Sequence, residues 1–149
     1  LVAKYFGNES FMAQNMLHVC MPKVFRLSEQ YLIRAEARAN QKNYSGASKD
    51  LSDLRRARFQ GGNGTISVSE QNWLEIIEEE RVRELYMEGF RLQDLKRWHK
   101  GFERKPQEQS LTNGSSLKIE ADDVRFVWPI PKHELESPGS QIQPNESNK

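Results

Sequence analysis

The chain has 149 residues, and its 22 lysines and arginines stand against 21 aspartates and glutamates for a net charge of +1. That balance offers no general field to draw nucleic acid or an anionic membrane. Cys20 is alone, so no internal disulfide is possible, and no window approaches the ~20 apolar residues of a membrane-spanning helix. The length suits one domain with a modest core, above the size at which disulfides or metals become necessary.

Residues 1–24 read as an irregular lead-in. Lys4-Tyr5-Phe6 suits an extended stretch, Gly7-Asn8 a turn, and Met21-Pro22 the approach to a helix. Leu17-His18-Val19-Cys20 has the outline of a lipidation box, but Val19 is not small and no sustained apolar run precedes it, so it is rejected as one. From Phe25 to Lys42, Leu27, Tyr31, Ala35 and Ala39 recur every four residues, with Leu32 alongside, which predicts a helix with a narrow apolar face. Gln41-Lys42-Asn43 turns the chain. Tyr44, Ala47, Leu51 and Leu54 then predict a second helix to about Phe59, so the two form a hairpin.

That hairpin is similar to a tetratricopeptide repeat, with Tyr31, Ala35, Ala47, Leu51 and Leu54 at its aromatic, small and large apolar positions. A single such unit leaves an apolar face open and must stack on another helix. Arg55-Arg56-Ala57-Arg58 reads as a solvated helix end, where cations complement the dipole. Gly61-Gly62-Asn63-Gly64 lacks the Lys-Ser/Thr ending of a phosphate loop and reads as a flexible connector. Ser67 or Ser69 is the expected cap of the next helix.

Trp73 to Trp98 carries the densest signal and predicts one long helix. At about 100° per residue, Leu74, Ile77, Leu85, Leu92 and Leu95 share a face, and Arg81 and Glu88 fall inside that apolar stripe. Glu84 and Arg91 share the neighbouring face with Trp73. Charges within such a stripe imply partners on adjoining helices, because an isolated buried charge is costly. Arg81, Glu84, Glu88, Arg91 and Asp94 are therefore the expected structural ion-pair motif. Glu78, Glu79 and Glu80 point in successive directions around a helix and cannot flank one bond as a catalytic pair does.

After Trp98, Lys100-Gly101 ends the helix, and residues 103–118 read as a polar, exposed excursion with Pro106 and a turn at Asn113-Gly114-Ser115-Ser116. Val124 to Trp128 reads as extended and is closed by Pro129 and Pro131. His133-Glu134-Leu135 suits a last helical turn, and the residues from Gln141 onward a frayed tail. His18, His99 and His133 lack metal-ligand spacing, and no serine or cysteine sits in a nucleophile motif. Neither a metal, a cofactor nor a catalytic residue is expected.

Three motifs in order carry a resemblance. Phe25-Arg26-Leu27-Ser28-Glu29-Gln30-Tyr31-Leu32, with Ala35-Glu36-Ala37, comes first. Glu80-Arg81, Glu84-Leu85, Glu88-Gly89, Arg91, Asp94-Leu95 and Arg97-Trp98 follow, and Trp128-Pro129-Ile130-Pro131 with Glu134-Leu135 closes the series. Together they resemble the C-terminal region of the RagB/SusD family, nutrient-binding lipoproteins of the bacterial outer membrane. Ser28 stands where that family usually has alanine, and Ser137-Pro138-Gly139 and Gln143-Pro144-Asn145-Glu146 depart from its closing pattern.

The resemblance implies an all-α fold, with the tetratricopeptide-like hairpin packed on the long helix and an extended Pro-rich segment after it. It implies residues 1–24 as lead-in, 25–136 as the SusD-like helical domain and 137–149 as a polar tail. A signal peptide and acylated cysteine would lie upstream of Leu1, placing the protein on the outer membrane's surface through that lipid anchor alone. The function implied is non-enzymatic: the protein binds an oligosaccharide or other nutrient and passes it to a SusC-like TonB-dependent transporter, with no nucleic-acid partner. Trp73 and Trp128 are the weak candidates for stacking on sugar, Trp98 being assigned to packing. A tetratricopeptide-type scaffold that grips a peptide is the competing class, and a glycoside hydrolase, for which nothing nominates two facing carboxylates, is third.

Overall fold

A computed structural model describes residues 9–16, 23–59, 61, 63–105 and 117–148. The readings for residues 1–8, His18, Cys20, Met21-Pro22, Pro106 and the Asn113–Ser116 turn lie outside those residues. The fold is all-α: helices dominate, and the sheet among the described residues is a pair of two-residue strands. The chain divides into two compact units, Leu1–Leu85 and Tyr86–Lys149.

In the first unit a short α1 (Glu9–Met12) precedes α2 (Leu27–Asn40), α3 (Tyr44–Arg58) and α4 (Trp73–Glu84). The expected hairpin is α2 and α3, and its turn has a local cause. Lys42 adopts a left-handed φ of 62°. That lets the Lys42 amide donate to Ala39 O at 2.9 Å and the Asn43 amide to Arg38 O at 2.8 Å, the paired bonds of a Schellman cap. Asn43 then caps α3, its Oδ1 accepting the Gly46 amide at 2.9 Å.

Leu32, Ala35 and Ala39 of α2 meet Ala47, Leu51 and Leu54 of α3, and Ile77 of α4 joins the same buried set. The alanines bring the helix axes close. Leu32, Leu51 and Ile77 are wholly buried, each contributing about 1.5–3 kcal/mol of transfer free energy.

The connector to α4 is less free than its glycines suggest. Gly64, Ile66 and Val68 are buried while Thr65 and Ser67 face solvent, an alternation that fits extended chain laid on α3. Two serine hydroxyls of α3 hold it: Ser52 Oγ accepts the Ile66 amide at 2.9 Å and Ser48 Oγ the Val68 amide at 2.8 Å. Ser67 and Ser69 do not cap α4. Asn72 occupies the N-cap position, and its side-chain carbonyl accepts the Ser69 amide at 2.7 Å.

The predicted long helix is broken. α4 stops at Glu84, and α5 spans only Arg91–Arg97. Between them Met87 and Gly89 take φ values of 63° and 82°. A left-handed residue cannot continue a right-handed helix, and Gly89 adopts it without a Cβ penalty.

In the second unit α5 ends in another Schellman cap, with His99 at φ 53° and the Lys100 amide donating to Leu95 O at 2.9 Å. The strands β1 (Phe102–Glu103) and β2 (Lys118–Ile119) pair antiparallel, Phe102 opposite Ile119 and Glu103 opposite Lys118, where the sequence suggests only an exposed excursion. Gly101 permits this approach, since a Cβ there would lie 2.2 Å from the Ile119 carbonyl oxygen. Val124–Phe126 forms a 3-10 turn rather than extended chain, capped by the Asp123 carboxylate accepting the Arg125 amide at 2.9 Å. A final α6 (Lys132–Leu135) matches the expected helical turn.

The tail is tied down. Asn148 Oδ1 accepts the Ile130 amide at 3.0 Å, Asn148 Nδ2 donates to Ile130 O at 2.8 Å, and Asn145 Nδ2 donates to Trp128 O at 2.9 Å. Two asparagines thus replace by side-chain bonds the pairing that Pro129 and Pro131 deny this segment.

Candidate functional site

The chemistry concentrated in the first unit is a set of carboxylates shared between helices. Glu84, the last residue of α4, stands where the start of α2 and the end of α3 converge. Arg26 Nη1 donates to Glu84 Oε1 at 2.9 Å and Arg26 Nη2 to the Glu84 backbone carbonyl at 2.8 Å. Arg58 adds a fork, Nε to Oε2 at 2.9 Å and Nη2 to Oε1 at 2.7 Å. One carboxylate therefore holds three helices, and Arg26 also satisfies a carbonyl at the α4 C-terminus, where a cation complements the dipole.

Burial pushes the Glu84 carboxyl upward, but the hydrogen bonds from Arg58 and Arg26 outweigh it, and the group sits at about 2 against an ordinary 4.5. Its side chain is only 10% exposed, so these bonds are poorly screened and stronger than surface pairs.

Two further carboxylates repeat the device. Asp50 of α3, 1% exposed, receives Arg34 Nε and Nη2 at 3.0 and 2.7 Å and Arg38 Nη1 at 2.7 Å, all from α2. Glu80 of α4 is buried and takes Arg55 from α3, together with Arg83 Nη1 at 2.5 Å from its own helix. Arg55 and Arg58 therefore cross to α4, and the basic run at the end of α3 is not simply a solvated helix end.

The expected ion-pair residues fall into different surroundings. Arg81 is buried at 6% exposure on α4, while Glu84 anchors the three-helix junction. Glu88 is half-buried beyond the end of α4, and Arg91 begins α5, so helical spacing does not put these two in register with Arg81 and Glu84. Asp94 is buried on α5 and accepts Arg97 Nε at 3.0 Å. Arg97 also lies 4.3 Å over the Trp98 ring.

Asp50, Glu80 and the arginines of α2 and α3 were not among the sequence candidates. Asp50 had a signal, since it lies three residues after Ala47 and one before Leu51, on the apolar side of α3.

Of the sugar-stacking candidates, Trp73 is half-buried at the start of α4. Trp128 is 80% exposed. Its backbone is fixed by Asn145 while its ring faces solvent, the combination a stacking platform needs. Among the described residues no group of three or more His, Cys, Asp or Glu side chains is placed to hold a metal ion, and no helix is long and apolar enough to cross a membrane.

An antiparallel hairpin seated on a third helix, with buried carboxylates bridging between them, defines a helical-repeat unit. A profile of the SusD family matches residues 19–146, and the chain belongs to that family. Membership supports a SusD-like nutrient- or glycan-binding protein, in a family of binding proteins rather than enzymes that reside as lipoproteins at the outer-membrane surface. No curated relative and no solved structure matches the chain.

Proposed function

We propose that this chain is the C-terminal part of a cell-surface glycan receptor that binds oligosaccharide and delivers it, unchanged, to a SusC-like TonB-dependent transporter. The observation that carries the reading is the family match across residues 19–146, which spans the hairpin, α4 and the second unit. Within that receptor residues 25–136 act as the helical domain. Its three-helix junction at Glu84 supplies a stiff base, as a binding surface needs side chains whose positions are fixed by their supporting shell.

Trp128 is the preferred aromatic contact in this region, because its indole is exposed on a backbone held by Asn145, and Trp73 is second. The test is native gel retardation in a panel of soluble neutral and acidic polysaccharides, using the longer receptor and its Trp128→Ala variant. Retardation is expected with at least one glycan, with Trp128→Ala weakening it by about fivefold to tenfold, near 1 kcal/mol. No retardation by any member of the panel would sink the receptor reading, and an unchanged Trp128→Ala would remove Trp128 from it.

A further inference from the structure

The connector between α3 and α4 contains an asparagine followed by glycine, Asn63-Gly64, outside the ion-pair network. This pairing is the one most prone to cyclise, because the glycine nitrogen meets no side chain on its way to the asparagine Cγ. Packing holds both residues in place. Gly64 is buried against α3, where a Cβ would lie 2.6 Å from Arg56 Cγ and 3.0 Å from the Arg56 backbone nitrogen, so a larger residue would displace the connector. Asn63 is exposed, and its Oδ1 accepts the Thr65 amide at 3.1 Å.

A fold protects such a pair when it engages the glycine amide in a hydrogen bond. The Gly64 amide donates to no acceptor among the described residues. The Thr65 bond works the other way, since it falls on the oxygen that becomes negative when the Asn63 side-chain carbonyl is attacked. A backbone donor 3.1 Å from that oxygen acts as a single-donor oxyanion hole. Because Asn63 faces solvent, hydroxide and water reach the reacting carbonyl.

We propose that Asn63-Gly64 is a site of spontaneous covalent modification, at which the folded chain deamidates through a succinimide. Solvent hydroxide takes the Gly64 amide proton, the nitrogen bonds to Asn63 Cγ, and the Cγ–Nδ2 bond breaks as ammonia leaves with a proton from water. Water then opens the ring at either carbonyl. One cleavage leaves aspartate and the other isoaspartate, with no oxidant or reductant consumed.

The two products differ in consequence. Aspartate keeps an oxygen for the Thr65 amide, whereas isoaspartate routes the backbone through Cβ and so lengthens it by a methylene. The next anchored residue is Ile66, whose amide Ser52 Oγ accepts at 2.9 Å, and Gly64 has no room to move toward α3. The added length pulls on the Ile66 bond, and the connector loosens from α3 as the protein ages.

Incubation of the 149-residue chain in mildly alkaline buffer, followed by trypsin digestion and mass spectrometry, tests this. Cleavage after Arg58 and Arg81 releases residues 59–81 as one peptide, which carries Asn63 and Asn72 together. The same peptide, synthesised and incubated alone, gives the rate without the fold, and circular dichroism monitors folding of the chain throughout. In the folded chain Asn63 is expected to convert at the peptide's rate or faster, to yield isoaspartate together with aspartate, and to leave Asn72 intact. Amide hydrogen exchange at Ile66 should be faster in the isoaspartate form than in the fresh chain.

Conversion slower than in the free peptide would overturn the proposal, because the fold would then hold the Gly64 nitrogen away from Cγ. Aspartate without isoaspartate would overturn the succinimide route. Equal loss at Asn72 would overturn the site itself, since the reaction would be general to exposed asparagines. Unchanged exchange at Ile66 would overturn the loosening of the connector.

Discussion

At the scale of single residues, Glu84 has the largest consequences. Its carboxylate takes three donors from two arginines, on residues 58 and 26 positions away in sequence, so deleting its charge leaves two guanidiniums at the junction without their carboxylate. Glu84→Gln keeps the shape and is expected to lower unfolding stability by about 3 kcal/mol, the range for breaking a buried ion pair, measured by urea denaturation. A loss within a few tenths of a kcal/mol, about the value of a surface pair, would show that the junction is held by packing alone.

The same group sets an acid limit. Because the folded carboxyl sits at about 2 and the ordinary value is 4.5, its contribution is fully present above about 4.5 and is lost as pH falls toward about 2. The unfolding stability of Glu84→Gln should therefore depend less steeply on pH in that window than that of the parent, as followed by urea unfolding monitored by circular dichroism. Parallel pH profiles would contradict the assignment. Sequence placed Glu84 on the face beside the charged stripe but did not show its partners, because Arg26 and Arg58 are brought to it by the packing of three helices. Local spacing carries no record of such contacts.

At the scale of elements, the hairpin was legible and the break in the long helix was not. Tyr31, Leu32, Ala35 and Ala39, and then Ala47, Leu51 and Leu54, keep a helical period, with Asn43 between them as a strong N-cap, so the bounds of α2 and α3 follow from local rules. The same period runs on through Leu85, Leu92 and Leu95, yet the chain leaves the helix after Glu84. Gly89 was the one local sign, and the left-handed φ at Met87 has no sequence signature at all.

Lys42 shows the corresponding cost, since a non-glycine residue in the left-handed region is disfavoured by about 1–2 kcal/mol. Lys42→Gly is expected to raise stability by about 0.5–1 kcal/mol by thermal or urea unfolding, as glycine is the usual residue at this place in a Schellman cap. A loss of stability would mean that Lys42 makes a compensating contact. In the connector, Ser48→Ala should speed amide hydrogen exchange at Val68, and Ser52→Ala at Ile66, because each hydroxyl accepts that amide. Unchanged exchange in both variants would show that burial alone protects those amides.

At the scale of the molecule, membership of the SusD family joins a region rich in internal ion pairs to a nutrient-binding role. The division of labour has a physical logic. Buried and half-buried carboxylates between α2, α3 and α4 fix relative helix positions, while Trp128 presents an exposed ring. The all-α class was readable because periodicity covers much of the chain. The apolar cleft beside the β1–β2 pair was not, because Leu95, Phe102, Ile119 and Phe126 line it together only through the strand pairing and the 3-10 turn, and Phe102 and Ile119 lie 17 positions apart.

The most direct measurement of the receptor reading is calorimetric titration of the longer receptor with a binding glycan, followed by chromatography of the sugar recovered at the end. Saturable heat with the glycan returned at its original length is the expected result for a protein that binds and hands on its ligand. Shortened products would make it an enzyme, and the absence of binding across the panel would contradict a glycan receptor.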